Sequence, residues 1–189
     1  MDDLSLLDAW LRPLKVSEYL ALADLGAFEN ERLELLAGRL VRKVPASVRR
    51  GWAVSALNAA LVRRLGGHAM VQPSSPFRAG EHSMPEPDFA LVTATAAPGP
   101  YPTSACLLVE VSDESLRLSR FKAELYAASG SPEYWVIDVA AARLEVYRAP
   151  KGEVWTERFT LGPADTVRPV AFPEVDFPLR DILGPLEPH

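Results

Sequence analysis

Residues 107–111, Leu-Leu-Val-Glu-Val, form an apolar run with one carboxylate inside it, and residues 89–92, Phe-Ala-Leu-Val, form a second run with no charge. Successive side chains of a strand point to opposite faces. A strand apolar at odd and even positions alike belongs in a sheet covered on both sides, not in one with a face open to water. The chain must therefore supply helices as covers. Glu110 is the exception to the apolar pattern. Leu108, Glu110 and Ser112 share one face of the strand, and Val109 and Val111 share the other. A carboxylate inside such a strand costs several kcal/mol unless its charge is compensated. The compensation is either a metal ion or a lysine or arginine, and the residues alone leave both open.

The remaining chain contains the covers and further strands. Residues 17–25 follow a capping serine, Ser17, carry leucines on one side and stop at Gly26, which predicts a helix. Residues 32–36 and 39–44 alternate on either side of Ala37-Gly38 and predict a hairpin. Residues 48–65 predict a long helix, with Val54, Leu57, Leu61 and Leu65 at helical spacing. Ala53, Ala56 and Ala60 let it lie close to a sheet, Arg63 and Arg64 suit its last turn, and Gly66-Gly67 ends it. Residues 68–77 read as a strand broken near Pro73. Residues 115–129 predict a helix whose core stripe is Leu118, Phe121, Leu125 and Ala128, with Lys122 at its border and Tyr126 one turn on. Strands at 133–139, 143–148 and 153–161, antiparallel edge material at 167–177 and a short helix at 178–183 complete the chain. The class is α+β: a mixed central β-sheet flanked by helices, with antiparallel C-terminal strands. We read residues 1–189 as a single domain with its core at about 17–148.

Composition narrows the functions. A chain of 189 residues that is 48% hydrophobic can bury a substantial core. It has no apolar stretch near the roughly 20 residues that span a bilayer. The formal net charge of −5 argues against a broad phosphate-binding surface, yet carboxylates gathered around a metal lower the total without removing local basic patches. Cys106, the single cysteine, lies in an apolar run and reads as a buried thiol, so no disulfide framework is needed. The acidic start, MDDLSLLDAW, is unlike a signal peptide. These features predict a cytoplasmic protein with no membrane partner.

Chemistry concentrates around the two apolar runs. Asp88 follows Pro87 and leads directly into residues 89–92, so its carboxylate stands at the start of a strand, able to converge with Glu110; a plain turn residue is the alternative. Lys122 is either a working ammonium or a lysine lying along the edge of the core. Glu34, in the first hairpin arm, is either a third acid or part of a solvated strand face. Carboxylate oxygens suit Mg2+ or Mn2+, which leave room for a phosphate. Such an ion polarises a phosphoryl oxygen and acidifies a bound water. Lys122 would then orient the attacking water or offset charge on the phosphorus. Paired carboxylates also serve glycosidases, but Trp10, Trp52, Trp135 and Trp155 are dispersed along the sequence instead of gathered to line a sugar cleft.

Pro87-Asp88 followed by Glu110-Val-Ser resembles the bipartite signature of the PD-(D/E)XK nuclease superfamily. The segments SEYLAL, ERLELLAGRLV, PEPDFALV, LLVEVSDESL, KAELY and GSPEYWVID are similar to those of the bacterial putative restriction endonuclease family and together are far more specific than the acid signature. The resemblance implies a restriction-endonuclease-like fold and a metal-dependent DNA endonuclease hydrolysing phosphodiester bonds with Mg2+ or Mn2+. It places the metal-binding acids on Asp88 and Glu110, and on Glu34 the acid that completes the metal site, which is helix-borne in the superfamily at large. Position 112 is serine where the general signature has lysine; in similar members that lysine lies on the following helix, which here gives Lys122 as the catalytic lysine. Ser119 stands where an aspartate is usual, and Trp52 lies near a position usually held by histidine. Ser112, Tyr126 and Arg78 are expected as supporting residues. DNA is the implied substrate and a homodimer the implied assembly of a two-strand cutter. From another class, the alternative is a catalytically inactive nucleic-acid-binding or regulatory protein that keeps the nuclease fold.

Overall fold

A computed structural model describes residues 10–43, 47–93, 100–113 and 116–183. In chain order the elements are α1 (Val16–Asp24), β1 (Leu33–Leu36), β2 (Arg39–Arg42), α2 (Val48–Leu65), β3 (Met70–Pro73), β4 (Phe89–Val92), β5 (Leu107–Ser112), α3 (Leu116–Ala128), β6 (Glu133–Asp138), β7 (Arg143–Lys151), β8 (Val154–Leu161), β9 (Thr166–Val167), β10 (Phe177–Pro178) and α4 (Arg180–Leu183). Six strands, in the order β3-β4-β5-β6-β7-β8, form one mixed sheet. Only β5 and β6 pair in parallel within it, joined by α3; the other pairs are antiparallel. Every residue of β4, β5 and β6 is buried, as a sheet covered on both faces requires.

The two covers sort the side chains by parity. Phe89, Leu91, Val109, Val111, Trp135 and Ile137 belong to one core with Ala53, Leu57, Ala60, Leu61 and Leu65 of α2. Ala90, Leu108, Tyr134 and Val136 belong to the other core, with Ala123 and Tyr126 of α3. Glu110 stands opposite Val136 in the ladder and so lies on the α3 face. Among the described residues no helix is long and apolar enough to cross a membrane.

The β1–β2 hairpin stands outside this sheet and is held against residues 82–84. Leu35 and Met84 exchange backbone bonds, Ala37 N–H donates to Ser83 Oγ at 2.9 Å, and Gly38 N–H donates to the His82 carbonyl at 2.6 Å. The turn needs both Ala37 and Gly38 at positive φ, 47° and 77°. A Cβ on Gly38 would meet Pro13 at 2.4 Å, so only glycine fits there.

Four expectations change. The cap of α1 is Lys15, whose N–H donates to Glu18 Oε2 at 2.9 Å, while Ser17 lies inside the helix. The strand expected at 68–77 is confined to Met70–Pro73; Pro73 suits an outer strand, where its missing N–H is tolerated, and Ser74 turns to φ 45°. The edge material at 167–177 reduces to a two-residue pairing of β9 with β10, because Pro169 and Pro173 break the stretch between them. In α3 the buried residues are Ser119, Lys122, Ala123, Tyr126 and Ala127, and Phe121 is 41% exposed, so the expected stripe is rotated by one residue. The charges beneath the helix give the reason, described next. The expected ends at Val44 and Ser115 lie outside the described residues.

Candidate active site

The sheet grips α3 through polar groups. Tyr134 Oη donates to the Ser119 carbonyl at 2.9 Å, Trp155 Nε1 donates to the Ala123 carbonyl at 2.7 Å, and Arg120 forms an ion pair with Glu145 of β7. These ties turn Lys122 towards the sheet instead of along the core edge. Its ammonium nitrogen is 2.8 Å from Glu34 Oε2 and 2.9 Å from Glu110 Oε1. Tyr126 Oη donates to the same Glu110 oxygen at 3.1 Å. Glu34 Oε2 also accepts from the Glu86 N–H at 3.1 Å. Glu34, Lys122 and Glu110 are 2, 3 and 6% exposed, so the pairing forms away from water. Two carboxylates on one ammonium outweigh the apolar periodicity of α3, which explains the rotated stripe.

Asp88 precedes β4, and Phe89 stands opposite Val109. Asp88 lies one residue before that ladder, and its carboxylate is held by the first turn of α2 and by the backbone of β5. Asp88 is 5% exposed. Its Oδ2 accepts from the Val111 N–H at 2.7 Å, and its Oδ1 accepts from Arg50 at 2.5 Å. Arg50 Nε donates to the Val111 carbonyl at 2.7 Å.

The electrostatics follow from crowding. Burial pushes the Glu110 carboxyl up to about 7; Lys122 pulls it down, while Asp88 and Glu34 push it further up. Burial works against the Lys122 charge, but Glu110 and Glu34 outweigh it and hold the ammonium above the ordinary lysine range. Burial, followed by the Glu110 charge, raises Tyr126 and Tyr134, so both remain hydroxyl donors.

Above the raised Glu110 value, where all three are ionised, the carboxylates Glu34, Asp88 and Glu110 face two cations, Arg50 and Lys122, which leaves one negative charge unbalanced among these groups. The nearby Lys43 does not supply the difference, because its ammonium pairs with Glu86 at 2.6 Å. Among the described residues, no three His, Cys, Asp or Glu side chains are grouped to hold a metal ion by themselves. Asp88 and Glu110 offer hard carboxylate oxygens, the donor type that a divalent cation takes. Glu34 is committed to Lys122 and the Glu86 N–H.

Ser112 is fully buried on the Glu110 face, opposite Asp138. Arg78 is exposed beside Gly80, Thr103 and Ser129, and no described bond joins it to the acids. Cys106 is half-buried, donates to the Leu91 carbonyl at 3.1 Å, and burial pushes its thiol up to about 11. Sequence reasoning passed over Arg50. Its signal was a cation in the first turn of a helix, where the dipole disfavours positive charge and a nearby anion is needed to hold it.

The sequence profile of the Uma2 family, described as "Putative restriction endonuclease", matches residues 16–180. Among solved structures, one described as a putative nuclease belonging to DUF820, from Anabaena variabilis, aligns with a TM-score of 0.74 at 16% identity, over 90% of this chain and 98% of that one. At that identity the likeness shows the fold alone. The type IIG restriction endonuclease BpuSI aligns over 58% of this chain and 13% of that one, at 17% identity and a TM-score of 0.37, which carries no argument. No curated protein matches the chain. The profile match runs from the first residue of α1 to the first residue of α4 and encloses Glu34, Asp88, Glu110 and Lys122; the chain belongs to the Uma2 family of putative restriction endonucleases.

Proposed function

We propose that this protein is a metal-dependent DNA endonuclease that hydrolyses phosphodiester bonds with Mg2+ or Mn2+. The family and the nuclease-like fold support a nuclease. The finer reading rests on one observation: a buried lysine, Lys122, joins Glu34 and Glu110 beneath α3. Asp88 and Glu110 would hold the ion, and Glu34, bonded to Lys122, would complete the set by fixing that ammonium. A divalent ion bound there supplies Lewis-acid polarisation and an acidified water.

The remaining work falls to the chain's own groups. Tyr126 fixes the Glu110 carboxylate by donating to Oε1. Lys122 stays charged through neutral pH and presents an ammonium that offsets negative charge developing on the phosphorus. It reaches Glu110 from α3, so Ser112 need not be a lysine. Arg32, beside the β1–β2 hairpin that carries Glu34, is exposed and adds local positive charge for a phosphate on an acidic protein. A homodimer would place two sites for two-strand cutting, and β8 ends the sheet where a second copy could pair. Sedimentation equilibrium tests that assembly, and a monomer at every concentration removes it.

A second reading is supported by one observation. The described acids already have protein cations, Arg50 on Asp88 and Lys122 on Glu34 and Glu110. A protein that keeps the fold and binds nucleic acid without cutting would look the same. Nicking of supercoiled plasmid in Mg2+ or Mn2+, across salt concentrations, separates the two. The endonuclease reading expects open-circular product that EDTA abolishes. DNA retention with no nicking in either metal would favour the second.

A further inference from the structure

Arg50 occupies an unusual place. It lies in the first turn of α2, where the helix dipole opposes a cation. Its guanidinium bridges Asp88 Oδ1, at 2.5 Å, and the carbonyl of Val111, the residue after Glu110, at 2.7 Å. Positive charge therefore fills the space between a carboxylate and a carbonyl, two hard oxygens of the kind a divalent ion takes. The other Asp88 oxygen is committed to the Val111 N–H, inside the sheet. Oδ1 is the oxygen held by a side chain, and that side chain is 21% exposed. The partner of Oδ1 is thus a side chain, whereas the partner of Oδ2 is fixed in the backbone. Lys122 pairs with Glu34 and Glu110, and Arg50 pairs with Asp88.

We propose that Arg50 is a resident cation that competes with the divalent ion: the ion takes Asp88 only by displacing the guanidinium, and Arg50 thereby sets the ion affinity of the centre. The proposal rests on the reading of Asp88 as a ligand in the proposed function. An ion that binds only the displaced state has its apparent affinity reduced by the fraction of time Arg50 is away. Removing the competitor removes that reduction. If Arg50 merely fastens the start of α2 to the end of β5, its loss weakens the fold and leaves ion affinity alone.

Calorimetric titration of Mn2+ into the parent, Arg50→Gln, Arg50→Lys and Asp88→Asn proteins tests this without any cleavage assay. Arg50→Gln is expected to lower the Kd for Mn2+ by about tenfold or more, within the range of ordinary coupling between sites. Arg50→Lys, which keeps the charge but cannot span both oxygens with a planar fork, is expected to fall between. If Arg50→Gln does not fold, Arg50→Lys carries the test, and tighter binding than the parent is still required. A folded Arg50→Gln protein with the parent Kd, or a weaker one, overturns the proposal. Asp88→Asn separates the two levels. Lost Mn2+ binding in Asp88→Asn without a gain in Arg50→Gln removes the role of Arg50 only. Parent-like binding in Asp88→Asn removes Asp88 as a ligand, and both readings fall together.

Discussion

Lys122 lies within 3 Å of two carboxylates, Glu34 at 2.8 Å and Glu110 at 2.9 Å, and is almost fully buried. Removing one member of a buried ion pair strands the others, typically at about 3–5 kcal/mol. Lys122→Met is expected to lose stability on that scale in urea melts and to cut DNA about a hundredfold more slowly or worse. Glu34→Gln and Glu110→Gln combined with Lys122→Met should recover much of the stability and none of the cleavage, because neither acid is then left unpaired. A Lys122→Met protein as stable as the parent would show that the ammonium is not what neutralises these acids. Glu110 adds a pH dependence. Its folded value, about 7, lies above the ordinary 4.5, so the unfolded chain binds fewer protons in between. The contribution of Glu110 is fully present below about 4.5 and is lost as pH rises through 7. The span corresponds to about 3 kcal/mol at most. Glu110→Gln should therefore lose less stability than the parent between pH 5 and 7.5, and parallel profiles would contradict the raised value. Glu110 stood out in the sequence as a charge set inside an apolar strand, whereas Glu34 read equally as part of a solvated strand face. Arg50 did not stand out, because its carboxylate partner lies 38 residues away.

At the scale of the element, α2 shows what local sequence can specify. The bounds expected from periodicity, 48–65, are those observed, because both ends carry their own chemistry. Ser47 Oγ accepts from the Arg50 N–H at 3.2 Å, and Gly66 closes the helix at φ 54°. Leu57 is completely buried in the core between α2 and the sheet. Leu57→Ala should cost about 2–5 kcal/mol, whereas Ser47→Ala should cost about 1 kcal/mol; chemical denaturation of both variants measures the contrast. Equal effects would mean that α2 is held by its cap more than by its packing. The α3 face was read wrongly for a physical reason: the leucines predicted one stripe, and buried charge partners from β1 and β5 selected the adjacent one. The N-terminus of α1 was misplaced because a serine is the commoner cap, while Glu18 reaches back to Lys15 instead.

At the scale of the whole molecule, the α+β class follows from the alternation of apolar runs and amphipathic segments, but the strand order does not. Nothing local to Glu133–Asp138 states that it pairs in parallel with Leu107–Ser112, and that pairing, closed by α3, is what brings Lys122 over Glu110. The surplus carboxylate charge predicts that the protein gains stability from divalent ions. An ion bound only to the folded state adds about 2.7 kcal/mol at a hundredfold excess over Kd. The gain should be larger at pH 8 than at pH 6, where Glu110 must first release a proton. Melting temperatures unchanged by millimolar Mg2+ and Mn2+ at pH 8 would count against a metal centre. The most direct measurement compares the parent with Asp88→Ala in a plasmid-nicking time course in Mn2+, with both proteins shown to be folded and to retain DNA. Metal-dependent nicking by the parent that Asp88→Ala reduces by a hundredfold or more, the scale of losing one well-placed stabilising group, is the expected result. Equal nicking by the two proteins, or none by the parent, would contradict an active site built on Asp88, Glu110 and Lys122.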